Sequence, residues 1–200
     1  MKRTLITLAL LVSLQLVSAQ EKVSREEALA YAKAASADVA KLNGTPIATD
    51  VDTQQPVAIK EDEYGGMVLP QKNLKLETIA KAGETPVPVG QLWLHKLTPM
   101  KDDDAIAEDR LRVATVTLDG TDLNVPQCAL ALRRASSGTL ELLVYGKGKE
   151  PVVTAPVKEI DAKQDVPIDL AAQREYESGK ITLKILGKYQ ATIKVTELLL

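Results

Sequence analysis

From about residue 56 onward, short apolar runs recur along the chain and are separated by turn-forming residues. Within these runs apolar and polar side chains alternate, as in Ile181, Leu183 and Ile185 with Thr182 between the first two. This period of two is typical of strands that bury one face, and the short spacing excludes the helices of βαβ units. The pattern predicts a mainly β protein, an antiparallel β-sandwich for which an immunoglobulin-like arrangement is one possible form. We predict strands over 56–60, 66–70, 87–97, 110–118, 126–134, 139–146, 152–157, 166–171, 180–186 and 189–196.

The segment before these runs predicts one N-terminal helix over residues 24–42. Ser24 followed by Glu27 fits a capping box, in which each side chain satisfies a backbone N–H of the other residue. The apolar residues that recur at helical spacing on one narrow face are Ala28, Ala32, Ala35, Val39 and Leu42. Because alanine buries little area, we expect shallow packing and a β part that folds without the helix. A second, short helix is predicted over 74–82.

The first residues have the three parts of a secretory signal peptide. Lys2 and Arg3 precede an apolar stretch, and Val17 and Ala19 place short side chains where signal peptidase binds. The apolar stretch is about 13 residues long, short of the ~20 that span a bilayer. We therefore expect cleavage after Ala19, a periplasmic or secreted protein of bacterial type, and no membrane span in the mature chain. The predicted division is 1–19 as signal peptide, 20–49 as helix and linker, and 50–200 as β-sandwich domain.

Composition narrows the classes of function. The formal net charge is −2, which argues against a nucleic-acid partner because such a surface must neutralise phosphates. One Cys excludes an internal disulfide and any multi-Cys metal centre, and one His excludes a multi-His metal site. The sequence indicates no cofactor. It also holds no motif that nominates a catalytic residue.

Trp93 and His95 are the candidate binding residues. They have the same parity in a predicted strand and would project from one face of it. One interpretation is a groove for a glycan, with the indole stacking on a sugar ring. The other is that Trp93 fills the core, where a large aromatic ring buries well over ~150 Å².

The acidic run Asp102, Asp103 and Asp104 is the candidate metal site. Carboxylate oxygens suit calcium, but the run lacks the alternating acidic positions and central glycine of a calcium-binding loop. A solvated loop is the alternative interpretation, and the pattern favours it.

Cys128 alternates with Leu130 and Leu132, which predicts a buried, unreactive thiol. The segment Gly146 to Lys149 resembles a phosphate-binding loop only superficially. It lacks the spacer and the Ser or Thr of that motif, so we expect a connection between strands.

Taken together, these patterns favour an exported, non-catalytic binding or structural module of the periplasm or cell envelope. Its partner would be another envelope protein or a glycan. Two alternatives stay open. One is a hydrolase that acts through two carboxylates, and the other is a carbohydrate-binding module that uses Trp93.

Overall fold

The structure is a computed structural model that describes residues 21–42 and 46–198. The predicted signal peptide, residues 1–19, lies outside the described residues. The strands are β1 (Glu21–Lys22), β2 (Val57–Glu61), β3 (Tyr64–Pro70), β4 (Val87–His95), β5 (Leu97–Lys101), β6 (Asp104–Ala105), β7 (Arg112–Leu118), β8 (Thr121–Arg134), β9 (Leu140–Tyr145), β10 (Val153–Glu159), β11 (Ile168–Arg174), β12 (Gly179–Ile185) and β13 (Tyr189–Glu197). The α-helices are α1 (Arg25–Val39) and α2 (Leu76–Ala80).

The strands form one antiparallel, hydrogen-bonded path. Its order is β1-β2-β3-β4-β8-β9-β10-β13-β12-β11, with β5 and β7 attached at its side through β13 and β8. This confirms the mainly β, antiparallel prediction and the single helix near the N-terminus. An immunoglobulin-like sandwich is not confirmed, because the strands join in one sheet that curls into a half-barrel.

The curl brings the two ends of the sheet together. Strand β11, at one end of the path, contacts β2 and β3 near the other end. Lys22 on β1 forms an ion pair of 2.6 Å with Asp169 on β11. Arg174 on β11 lies 3.5 Å from a carboxylate oxygen of Asp62 and 5.9 Å from the ring centroid of Tyr64. The contact between the ends closes the concave side of the sheet.

The main core fills this concave side, which we call the inner face. It is built from every second residue of the strands, at the positions that the alternating sequence pattern predicts to be apolar. All are aliphatic or Cys, as expected for a chain with no Phe. Examples from both halves of the sheet are Leu92, Leu94, Cys128, Leu130, Leu170, Ile181 and Ile193.

The opposite side, the outer face, carries α1. The helix begins as predicted, since the Ser24 hydroxyl accepts a hydrogen bond of 3.2 Å from the backbone N–H of Glu27. Its buried alanines Ala28, Ala32 and Ala35 belong to a second apolar cluster. Alanine lets the helix lie close to the sheet, and the contact buries residues of four strands below it. These are Ala58, Met67, Leu69, Trp93, Ala114 and Val116.

Two side chains from the sheet also hold the C-terminal end of α1. Gln91 Nε2 donates to the carbonyl oxygen of Val39 at 3.3 Å and to Thr49 Oγ1 at 2.9 Å. Arg112 Nη1 donates to the carbonyl oxygen of Lys41 at 2.8 Å. These bonds satisfy carbonyl groups that have no partner inside a helix end.

Strands β7 and β8 form a hairpin that extends beyond the main sheet. Asp119 and Gly120 connect them with φ values of 49° and 78°, as a two-residue hairpin turn requires. One hairpin face is polar, with a hydrogen bond between Thr117 and Asp122. The other face is apolar and turns toward α1.

In the part of the chain that the structure describes, no helix has the length and apolarity needed to cross a membrane.

Candidate functional site

A largely apolar pocket of about 340 Å³ opens on the outer face between α1 and the β7–β8 hairpin. We call it the outer groove. The helix contributes Tyr31 and Ala35, and the β2–β3 turn region forms a second side. The hairpin contributes its apolar face as the third side, with Val116, Leu118, Leu123 and Val125. A volume of this size lies within the range of about 300–1,000 Å³ that small-molecule sites occupy.

Trp93 and His95 line the outer groove from β4, as their shared parity predicted. Trp93 is 2% exposed and belongs to the apolar cluster under α1. His95 is half-buried at the last position of β4, paired with Gly65 on β3. The indole is therefore part of the wall of a pocket, and it presents no flat face to solvent.

Both side chains have a buried nitrogen without a hydrogen-bond partner among the described residues. These atoms are Nε1 of Trp93 and Nδ1 of His95. Folded proteins leave few buried polar groups unpaired, because each costs about 1–3 kcal/mol of desolvation. Both atoms lie below the accessible surface of the groove, because each exposes less than 1 Å².

Burial also decides the charge of His95. Desolvation, with a smaller contribution from the Lys96 ammonium, holds the pKa of the His95 imidazole below its usual range. The ring is therefore neutral at pH 7. A neutral imidazole has one nitrogen that donates and one that accepts.

Tyr31, Glu27 and Lys60 form a polar chain at the edge of the groove. The Tyr31 hydroxyl donates to a Glu27 carboxylate oxygen, and Lys60 Nζ lies 3.3 Å from the same carboxylate. Burial and the hydrogen bond to Glu27 raise the pKa of Tyr31 to about 12. The same hydrogen bond, followed by the one from Lys60, lowers the pKa of Glu27. Both groups therefore stay in their usual ionisation states at pH 7.

Asp62 and Glu63 add two carboxylates to the groove, and each already forms an ion pair with a basic side chain. Asp62 pairs with Arg174, and Glu63 forms an ion pair with Lys96. The contact with Lys96 lowers the pKa of Glu63. The shift is opposite to the one that a carboxylic acid needs to act as a proton donor at neutral pH.

The lining of the groove determines what it can do chemically. Its described residues include no Ser, Thr or Cys that could act as a nucleophile beside His95. They do combine an apolar wall with charged side chains that already have partners in the protein. That combination is suited to holding a molecule.

The candidate metal ligands Asp102, Asp103 and Asp104 lie apart from the groove, at the turn between β5 and β6. All three are exposed. Asp102 and Asp103 have φ values of 52° and 69°, a conformation that Asp tolerates in tight hairpin turns. Asp103 is also paired with Lys194 at 2.5 Å. Among the described residues, no group of three or more His, Cys, Asp or Glu is placed to hold a metal ion.

Cys128 lies on the inner face, fully buried, as predicted. Desolvation raises the pKa of its thiol to about 12. Lys147, in the segment that superficially resembles a phosphate loop, donates its backbone N–H to the carbonyl oxygen of Arg110 at 2.9 Å. The chain continues into β10 at Val153, so no helix follows this segment.

A second, smaller pocket of about 170 Å³ lies where β11 meets β2 and β3. Its side chains include Tyr64, Arg174 and Glu175. Arg174 is engaged with Asp62, and Glu175 forms an ion pair with Lys180. The Arg174–Asp62 pair joins the two ends of the sheet, and the Glu175–Lys180 pair lies within the β11–β12 hairpin, so both groups already have partners in the protein.

Sequence reasoning placed Trp93 and His95 on one face but missed the wall opposite them. The missing signal was the dipeptide Asp119-Gly120 between two alternating apolar runs, a strong indication of a hairpin. Tyr31 was also overlooked, because it lies beside the alanine stripe and most of the other groove residues come from strands distant in sequence.

Comparisons with protein-family models, with curated proteins and with solved structures gave no match for this chain.

Proposed function

We propose that this chain is an exported, non-catalytic binding module and that the outer groove is its binding site. The observation that carries the proposal is the largely apolar pocket of about 340 Å³, whose charged lining residues Lys60, Asp62 and Glu63 already have partners. Pockets of this kind, apolar with a few placed polar groups, are the usual sites of small ligands. A small molecule, supplied at the cell envelope, is the partner that fits.

The two alternative functions have less support. A carbohydrate-binding module stacks sugars on exposed aromatic rings, whereas Trp93 is buried under α1. A hydrolase of the carboxylate type needs one carboxyl group that stays protonated near pH 7. Glu63 in the groove has its pKa lowered by Lys96.

The localisation part of the proposal rests on the N-terminal sequence. We propose a periplasmic or secreted protein, cleaved after Ala19. Mass spectrometry of the protein recovered from the periplasm or medium should find Gln20, or its pyroglutamate form, at the N-terminus. Recovery of the protein with an intact Met1 would contradict export by cleavage.

We further propose that the two halves of the curled sheet pack as the layers of a sandwich. The support is the position of Gly66 on β3, where an added Cβ would lie 3.6 Å from Leu170 on β11. Residues from both halves also share the inner core. Such packing gives the outer face a rigid base.

The binding proposal is tested with N-phenyl-1-naphthylamine, a neutral apolar dye whose fluorescence rises in an apolar site. Protein purified from cells that express the full chain should bind the dye saturably at one site. Leu118→Trp places a larger ring on the groove side of the hairpin and should weaken binding at least tenfold, or about 1.4 kcal/mol.

Thr117→Trp is the matched control. Thr117 is the neighbouring residue on the exposed, polar face of the same hairpin. This variant should bind the dye as the original protein does. Absence of saturable binding, or an equal loss in both variants, would contradict the proposed function.

A further inference from the structure

We propose that two copies of this chain associate through the free edge of β7, which pairs antiparallel with β7 of the second copy about a twofold axis at Thr115. The inference is independent of any ligand in the outer groove. Three features of this edge carry it: its unpaired backbone groups, the absence of residues that prevent strand pairing, and the charges at its two ends.

The free edge follows from the register of the β7–β8 hairpin. Leu118 and Thr121 flank the two-residue turn and therefore form a hydrogen-bonded pair. Because such pairs alternate along an antiparallel ladder, Val113, Thr115 and Thr117 direct their backbone N–H and C=O groups away from β8. These groups have no backbone partner among the described residues. The edge thus offers a donor and an acceptor at every second residue of β7.

Strand β7 lacks the devices that usually keep a free edge from pairing. Natural edges are protected by lysine, proline, a bulge or a charged side chain. From Val113 to Leu118, β7 contains no Lys, Pro or charged residue, and it pairs with β8 without a bulge. The corresponding edge of β8 differs, because it carries the charge of Asp122 and ends at Pro126. The end strand β11 has charged residues that pair with the other end of the sheet.

The second copy fits because the edge is complementary to itself. With the axis at Thr115, that residue pairs with its own copy and Val113 pairs with Thr117. All of the outward-facing residues then form hydrogen-bonded pairs, with two backbone bonds in each pair. Ala114 lies opposite Val116, so the apolar faces of both hairpins lie on the same side. Moving the axis by one residue would place Val113 or Thr117 opposite a residue outside β7.

The charges at the two ends of β7 are also complementary in this register. Arg110 precedes the strand, and the N–H of Lys147 bonds to its carbonyl oxygen at 2.9 Å. Asp119 and Asp122 lie at the other end, in and beside the hairpin turn. All four side chains are exposed, and none forms an ion pair within the described part of the chain. Antiparallel pairing brings Asp119 of one copy to the Arg110 end of the other, and the acidic residues before Arg110 lie farther from β7 along the chain.

Sedimentation equilibrium of the purified chain, between roughly 2 and 200 µM, measures the association. One pair of strands buries a small area, so we expect a dimer with a Kd of roughly 10–100 µM. Thr115→Pro should raise that Kd at least tenfold. The substitution removes an N–H from the free edge but no hydrogen bond of the hairpin backbone, because the Thr115 N–H points away from β8.

Asn124→Pro is the matched control. Asn124 pairs with Thr115 in the hairpin and directs its N–H to the free edge of β8. The two side chains share one hydrogen bond of 3.2 Å, so both variants lose it. Asn124→Pro should dimerise as the original protein does. An equal loss in both variants, or a loss in Asn124→Pro alone, would overturn the β7 interface.

A second measurement needs no variant and stands even where the proline variants do not fold. Amide hydrogen exchange, resolved by residue, is compared at about 5 and about 300 µM. The amides of Thr115 and Thr117 should exchange about threefold or more slowly at the higher concentration, because most chains are then paired. The amides of Asp122 and Asn124 should exchange equally fast at both concentrations.

The remaining outcomes would contradict the proposal. A chain that is monomeric up to about 200 µM, with exchange that does not depend on concentration, would overturn it. Protection at Asp122 and Asn124 in place of Thr115 and Thr117 would assign the contact to β8. Species larger than a dimer would exclude the twofold axis, because pairing of one edge with its own copy is closed.

Discussion

The Arg112 guanidinium donates a hydrogen bond of 2.8 Å to the backbone oxygen of Lys41, joining β7 to the residues that follow α1. The bond links the two opposite walls of the outer groove, because Arg112 begins the strand that forms the hairpin wall. Helix and hairpin are thus fixed relative to each other by a side chain that is not itself part of the groove lining.

Arg112→Met tests this link. The substitution keeps most of the aliphatic stem and removes the donor, leaving the Lys41 carbonyl without its partner. We expect a loss of about 1–2 kcal/mol in the free energy of unfolding, measured by urea denaturation. Arg110→Met is the control at an exposed position two residues earlier, with an expected change within about 0.5 kcal/mol. Equal effects of the two substitutions would contradict a role for Arg112 in holding the end of α1 against the hairpin.

Ala32→Leu tests the close approach of α1 to the sheet. Ala32 is fully buried in the cluster that contains Trp93, so a larger side chain must push the helix away. We expect a destabilisation of about 1–3 kcal/mol, measured as a lower thermal midpoint. Ala37→Leu, on the exposed side of the same helix, should be nearly neutral. A neutral Ala32→Leu would show that the helix packs loosely and that the β part is independent of it.

His95 predicts the pH dependence of stability. Its pKa is lower in the folded protein than in the unfolded chain, where it lies near 6.5. The unfolded chain therefore binds a proton first as the pH falls, and stability drops through about pH 6.5 and levels off below the folded-state pKa. Urea midpoints between pH 5 and 8 measure the effect. Since His95 is the one histidine, His95→Gln should flatten the curve in this range. An identical slope in the variant would assign the dependence to other groups.

Cys128 predicts an unreactive thiol in the native state. Its side chain is fully buried and the pKa of the thiol is raised to about 12, so no thiolate is available at pH 8. A maleimide reagent should label the native protein far more slowly than the same protein in guanidinium chloride. Cys128→Ala should cost about 1 kcal/mol of stability because it leaves a small cavity. Rapid native labelling would place the residue on the outer face.

The sequence was sufficient to predict most strands, because alternation is a local signal that survives in each of them. It was weakest where a strand carries no alternation, as in β1 with its two residues. The predicted strand 87–97 also ran past Lys96, whose φ of 56° separates β4 from β5, and no strand was predicted over the rest of β5. The first part of β8 was missed because Thr121, Asp122 and Asn124 are exposed polar residues on a hairpin outside the main sheet.

The candidate site was only half predictable for a different reason. The alternation of side chains along a strand places Trp93 and His95 on one face, but it does not show which elements cover that face. The covering elements are α1 and the β7–β8 hairpin, and their positions depend on contacts between distant segments such as Gln91 with Val39. The curl of the sheet likewise depends on pairing between strands that lie far apart in the sequence. A short stretch of sequence does not show which strands will pair.

Strand β13 follows every other described strand in the chain, yet it lies between β10 and β12 and also pairs with β5. Among the described strands, the β11–β12 hairpin is hydrogen-bonded to only one other strand, β13. The last described strand thus joins this hairpin to β5 and β10, which lie earlier in the chain. Such late, long-range pairing makes folding slow.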